Sequence, residues 1–334
     1  MTILADLPLP PKPILVVGGY GYRNAGDEAI LAGLLDTIGR DGVTVVSRSP
    51  AETAATHGVE TVSIRKAASE LRYHRGVLIG GGGLFGRDMG RLGSLLPLAG
   101  LLATLARRDV ALVGIGVDAE LPPVRERLLG TLARRATTVV VRDAASVTLM
   151  RRLGVEAELR PDLSSVVPSA GRAAGVRHLR AVGLRPERRP VMGLCVTALD
   201  PGIVERLAVA IETLVDSLPD FDFCLFPMSR HPFLERHNDE VFARQLMVRR
   251  PRLRLLVPPD DPSEVLAVFE AFSAALCVRY HSLLFAERAG IPIIPVPYAE
   301  KCHHWLAERS LEPADLTPGA IVERFGGLAR RAVA

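Results

Sequence analysis

Two groups of residues have the types and spacing for chemistry. The first is Arg279-Tyr280-His281-Ser282, at the end of the apolar run Ala274–Val278, with Lys301 following the next apolar run. A guanidinium forks onto phosphate or carboxylate oxygens, and an imidazole moves protons near neutral pH. Ser282 also suits the start of a helix, where its hydroxyl is structural. Only Lys12, Lys66 and Lys301 are lysines among 41 Lys and Arg, which leaves 38 arginines. Lys301 is either a chance survivor of an arginine bias or a position that needs a compact primary ammonium. The second group is the loop Gly18-Gly19-Tyr20-Gly21-Tyr22-Arg23-Asn24-Ala25-Gly26-Asp27-Glu28. It lies between a short apolar run and a helical pattern, the geometry that presents N–H groups to an anion. Its details depart from the common phosphate loops. Gly21 and Gly26 have P-loop spacing, but Asp27-Glu28 stand where Lys-Ser/Thr is required. Gly19, Gly21 and Asn24 approach the dinucleotide fingerprint, with Asn24 in place of its third glycine.

Further candidates also lie at strand ends. Gly80–Gly83 open a run that continues to Asp88 and allow close approach of a ligand or of another backbone. Gly82 and Gly83 are assigned to ligand lining, against the alternative of a packing turn. Arg142 is positioned to hold an anion, whereas Asp143 suits a helix cap. Pro161-Asp162 fits a turn as well as a site wall. His231 and His237 have the plain alternative of loop residues, and Asn238 or Asp239 that of a helix cap. Cys302-His303-His304 lacks a second ligand cluster at metal spacing, so no metal site is expected.

Something must hold these residues in place. Strand-like runs at Ile14–Val17, Thr44–Ser47, Gly76–Ile79, Ala111–Gly116, Thr138–Val141 and Ala157–Leu159 alternate with helical patterns. A second series follows at Val191–Val196, Asp222–Pro227, Leu253–Leu256, Ala274–Val278 and Ile293–Val296. Such alternation predicts an α/β protein with two Rossmann-like, doubly wound domains of parallel sheet facing a cleft. The Gly/Pro/Arg-rich stretch 168–190 reads as the connection. The domains are placed at 1–175 and 176–334, with ligands at strand carboxyl ends.

At 334 residues and 48% hydrophobic content the chain can fill two cores. The formal charge of +4 comes from dispersed arginines without a basic block, which argues against a nucleic-acid partner. The cysteines (195, 224, 277 and 302) have no C-x-x-C spacing, which suits buried free thiols. Residues 1–13 lack a signal-peptide pattern, and the apolar stretch Leu92–Leu105 is too short to span a bilayer. A cytoplasmic protein is expected, with at most peripheral membrane contact at the inner face of the cell membrane. A homo-oligomer is compatible with the sequence.

Taken together, Gly18–Leu31, Gly80–Asp88, Val141–Val155 with Pro161-Asp162, His237-Asn238-Asp239 and Arg279–Lys301 resemble the polysaccharide pyruvyl transferase family, especially its bacterial cell-wall (CsaB-type) members. The pairing of N-x-G-D-E-A with R-x-H-S carries most of the resemblance, and His-x-Asp adds weight to His237. The resemblance implies a GT-B-like fold, in which the tail 316–334 can be a helix that returns to the first domain, and transfer of a pyruvyl group from phosphoenolpyruvate to two hydroxyls of one sugar. In the cell-wall members that sugar is an N-acetylmannosamine on a lipid-linked precursor, and the modified polymer anchors S-layer-homology domains. It implies no metal and no cofactor besides the donor substrate.

On that basis Arg279 and Lys301 are assigned to the donor's phosphate and carboxylate, helped by Arg142, Ser282, Gly82 and Gly83. His281 is assigned proton transfer. Gly19, Tyr20, Asn24, Asp27, Glu28 and His237 are assigned to the acceptor, because acids and amides suit sugar hydroxyls. One alternative makes Asp27 or Glu28 the base and His281 a phosphate ligand. The competing functions are a GT-B nucleotide-sugar glycosyltransferase and a non-catalytic carbohydrate-binding relative.

Overall fold

The structure, a computed structural model, describes residues 3–86 and 92–333. Arg87-Asp88, the end of the glycine-rich block, lie outside the described residues. The chain forms two compact units, 1–22 with 27–167, and 23–26 with 168–334.

The first unit contains strands β1 (Ile14–Val17), β2 (Val43–Ser47), β3 (Glu60–Ser63), β4 (Gly76–Phe85), β5 (Asp109–Val117), β6 (Thr138–Val141) and β7 (Glu158–Leu159). Its helices are α1 (Ala25–Ile38), α2 (Pro50–His57), α3 (Ala67–Glu70), α4 (Leu92–Leu105), α5 (Pro123–Ala133) and α6 (Ala144–Arg152). The strands form one parallel sheet in the order β3-β2-β1-β4-β5-β6-β7. Alternation along each strand divides the apolar residues between two faces. Val16, Val45, Leu78 and Val113 pack with Leu31 and Leu34 of α1, whereas Leu15, Val46, Ile79 and Leu112 pack with α4, α5 and α6.

The second unit contains β8 (Val191–Cys195), β9 (Asp222–Leu225), β10 (Leu253–Leu255), β11 (Ala274–Cys277) and β12 (Ile293–Pro295), parallel in the order β10-β9-β8-β11-β12. Its helices are α7 (Arg172–Ala181), α8 (Pro201–Ser217), α9 (Asp239–Arg249), α10 (Pro262–Ala271), α11 (Tyr280–Arg288), α12 (Glu300–Glu308) and α13 (Pro318–Val333). Two doubly wound parallel-sheet domains are therefore present, as the alternation predicts.

Several expectations need correction. The stretch 168–190 is not only a connection: it contains α7, which packs on α10, and the second unit already begins at Pro168. The tail was open to returning to the first domain. Its described part instead fills the second core, with Leu316, Ile321 and Phe325 beside Leu207 and Leu214 of α8. The glycine run is not a loop after β4; it continues β4, paired to β5 with a register shift between Gly82 and Phe85.

Candidate functional site

In each unit the strand order reverses at one place, and each reversal carries a residue group named above. In the second unit β8 and β11 are neighbours, while β9-β10 and β12 extend in opposite directions. Arg279–Ser282 follow β11 directly at that switch point, where the fold leaves a crevice at the strands' carboxyl ends.

Arg279 is buried and gives both arms of its fork to Asp239: Nε donates to Oδ2 at 2.5 Å and Nη2 to Oδ1 at 2.7 Å. Asp239 is fully buried and also accepts from the Ser229 amide at 3.1 Å. Sequence reasoning left Asp239 and Asn238 as alternative caps of α9. Asn238 caps it, accepting from the Glu240 amide at 3.1 Å, and this frees Asp239 to turn inward. Its partnership with Arg279 has no local signal, because the two are 40 residues apart. Ser282, expected among the donor ligands, is buried, and its hydroxyl donates to the Arg279 carbonyl at 2.5 Å.

Residues 23–26 of the opening motif join this same group, because they belong to the second unit. Asn24 forms an antiparallel bridge with Ser229, the Ala25 amide donates to the Met228 carbonyl at 2.9 Å, and the Arg230 amide donates to the Arg23 carbonyl at 3.0 Å. The Asn24 side-chain oxygen accepts from the Gly26 amide at 3.0 Å, a turn that starts α1. A Cβ at Gly26 would overlap the His281 imidazole. The histidine of R-x-H-S as placed therefore requires the glycine of N-x-G-D-E-A.

The His281 ring also lies 5.5 Å from that of Tyr280 and 5.9 Å from that of Phe285. Lys301, in the first turn of α12, holds its ammonium 6.0 Å over the Tyr280 ring. Among the described residues that ammonium has no carboxylate partner and no hydrogen bond. His237 ends a short turn, with its ring 5.8 Å from that of His231 and its carbonyl accepting from the Ser229 hydroxyl at 2.8 Å. His231 Nδ1 accepts from the amides of Phe233 and Leu234, which fixes the loop. Cys302, His303 and His304 diverge: the first is buried, the second is exposed and the third faces Glu300.

In the first unit the switch point lies between β1 and β4. There the Tyr20 hydroxyl donates to the Gly80 carbonyl at 2.7 Å. Burial raises the phenol's pKa, and the nearby Asp27 and Glu28 carboxylates raise it further, so Tyr20 stays neutral. Glu28 is engaged on both oxygens. It accepts from the Gly21 amide at 2.9 Å and pairs with His57 Nε2 at 2.9 Å. Sequence reasoning missed His57, whose partner lies 29 residues away. Asp27 lies against Gly19 and Gly82: its Oδ1 would stand 3.0 Å from a Cβ at Gly82 and its Oδ2 3.6 Å from one at Gly19.

Gly81 has a φ of +80°, and a Cβ there would overlap Ile30 and approach the Tyr20 hydroxyl. The packing alternative thus explains Gly81, whereas Gly82 adjoins the Asp27 carboxylate. Arg142 is buried with Nη1 2.9 Å from Asp162 Oδ2, and Asp162 in turn accepts from the Ser164 amide. Its charge is thus compensated inside the fold. Asp143 caps α6 through the Ser146 amide at 2.7 Å.

Solved structures share this two-domain arrangement. Anabaena Alr3699/HepE in complex with UDP and glucose aligns with a TM-score of 0.61 at 14% identity, over 97% of this chain and 89% of that one. The Neisseria meningitidis UDP-GlcNAc 2-epimerase, bound to UDP-GlcNAc, aligns at 0.63 and 12% identity over 95% and 91%. The E. coli ADP-heptose LPS heptosyltransferase II aligns at 0.54 and 13% identity over 96% and 99%. At such identities the likeness establishes a GT-B-like fold alone. No curated protein sequence matches the chain. The family model for polysaccharide pyruvyl transferases matches residues 24–300, from Asn24 of the opening motif past Ser282, and the chain therefore belongs to the polysaccharide pyruvyl transferase family.

Proposed function

We propose that this transferase moves the pyruvyl group of phosphoenolpyruvate onto two hydroxyls of one sugar and releases phosphate. We propose as acceptor an N-acetylmannosamine on a lipid-linked cell-wall precursor, worked on at the inner face of the membrane, in the manner of the CsaB-type enzymes. The observation that carries the donor assignment is the Lys301 ammonium, free of any carboxylate among the described residues, beside Tyr280-His281 at the strand switch point. A small trianion needs an available cation more than it needs a nucleotide cradle.

Arg279 and Arg142 each have a buried carboxylate partner. In this scheme Arg279 therefore holds the 279–282 turn in place, and Lys301 supplies the charge that meets phosphate. His281 is the proton carrier. Protonating the methylene carbon turns C2 into an oxocarbenium-like centre. One hydroxyl adds there, phosphate leaves, and the second hydroxyl closes the ketal. Two hydroxyl protons are lost; one is matched by the proton delivered to carbon and the other leaves with phosphate. Asp27, beside Gly19 and Gly82, is assigned to a sugar hydroxyl, with Glu28 holding the loop through Gly21. Because His281 rests on Gly26, its placement depends on the opening motif.

The UDP-sugar complexes of the structural neighbours favour one rival, a nucleotide-sugar transferase. Thermal unfolding separates the two. Phosphoenolpyruvate at about 100 times its Kd should add about 2.7 kcal/mol to stability and raise the Tm, while UDP-glucose and UDP-GlcNAc leave it unchanged. A shift with the UDP-sugars alone rejects the proposal.

A further inference from the structure

The first unit carries an apolar helix face that none of the described residues covers. From Leu92 to Leu105, α4 has no charged side chain. Its inward face is conventional: Leu96 and Ala103 are in the core, and Gly100 lies against Ile79 and Leu132. Its outward face is also apolar. Leu95, Leu98, Leu102 and Leu105 are exposed to 53, 44, 55 and 79%. Their spacing of three, four and three residues puts them on one side of the helix. A helix with water on one side normally shows that side polar residues, so an all-apolar helix marks contact with something other than water.

The surroundings indicate what that is. Segment 64–73 packs Ala67 and Leu71 on the same core as Leu96, so it lies on the same side of the sheet. It exposes Ile64 and Tyr73, together with Arg65, Lys66 and Arg72, and the Arg72 guanidinium lies 4.6 Å over the Tyr73 ring. Arg107, two residues past Leu105, is exposed too. In sequence, residues 64–109 hold eight Lys and Arg against three Asp and Glu, a formal +5. The whole chain sums to +4, so the remainder sums to −1. In sequence, the net positive charge thus falls in the segment that holds the exposed leucines.

A second copy docked face to face would bring these cations against their equivalents across a two-fold axis. An anionic bilayer meets both requirements: leucines enter the boundary between headgroups and acyl chains, and the arginines and lysine meet lipid phosphate. We infer that α4 and segment 64–73 form a docking face for an anionic lipid surface. This assignment uses nothing from the proposed acceptor, so it stands or falls independently of the pyruvyl chemistry.

Vesicle flotation tests it, with the full chain on phosphatidylcholine vesicles with and without about one-third phosphatidylglycerol. The protein should float with the anionic vesicles, stay behind with the neutral ones, and be released by high salt. Leu98→Glu/Leu102→Glu should weaken binding about tenfold or more with an unchanged thermal transition, since both positions are exposed. Arg65→Glu/Lys66→Glu should weaken it without touching the leucines. Absence of flotation with anionic vesicles overturns the inference, as does binding that survives both double variants. So does a dimer, seen by sedimentation, that Leu98→Glu/Leu102→Glu splits while the parent protein ignores vesicles.

Discussion

At the residue scale, the central pair is Gly26 and His281. Gly26→Ala inserts a methyl where the imidazole ring lies, so the ring must move. A displacement of that size costs about 100-fold where geometry governs the rate. Turnover of Gly26→Ala should fall by about that factor, approaching His281→Ala, with a cooperative unfolding transition retained. Near-parental turnover would remove His281 from the proposed role. Asp239 acts differently. Asp239→Ala leaves the Arg279 guanidinium buried without its main counter-charge, a defect worth about 3–5 kcal/mol. Urea unfolding should show that loss, and a loss below about 1 kcal/mol would mean that water reaches the arginine. The sequence made Arg279 and His281 legible because each has chemistry of its own. It could not show which carboxylate neutralises which arginine, because Asp239 and Asp162 find their partners only through the fold.

At the element scale, alternation of strand and helix was enough to read two parallel sheets. Buried parallel strands are continuous apolar runs, and such runs survive in sequence as a pattern. The failures share a cause as well. β3, Glu-Thr-Val-Ser at the sheet edge, has one buried side chain, and so no apolar run to reveal it. β4 runs on through four glycines, which propensity assigns to loops but which here let α1 and Tyr20 approach the sheet. Gly81→Ala tests this directly. A positive φ of +80° and the overlap with Ile30 together should cost about 2 kcal/mol or more, read as a lower urea midpoint. An unchanged midpoint would mean that the run is a tolerant loop after all. The core that α13 joins was not legible, because its apolar residues, Ile321 and Phe325, do not specify which core they enter.

At the scale of the whole molecule, the buried acids of the core set a pH limit. The Cys195 and Cys224 thiols and the Tyr20 phenol all have their pKa pushed up, chiefly by burial. Each contributes stability in full below its unfolded pKa. As pH rises past that value the unfolded chain releases protons that the folded chain retains, and stability falls. Each group steepens the decline by about 1.4 kcal/mol per pH unit, starting near pH 8.5 for the thiols and near 10 for the phenol. Urea midpoints should therefore hold steady to about pH 8 and drop from there to pH 11. A flat profile over that range would place these groups within reach of water.

No described helix is long and apolar enough to cross a bilayer. Phosphate release measured with phosphoenolpyruvate and a synthetic lipid-linked N-acetylmannosamine acceptor addresses the central claim most directly. Release that requires both substrates, produces one ketal methyl signal per phosphate in the product's NMR spectrum, and collapses in Lys301→Met is the predicted result. Phosphate release that ignores the acceptor, or a Lys301→Met variant as active as the parent, would contradict it.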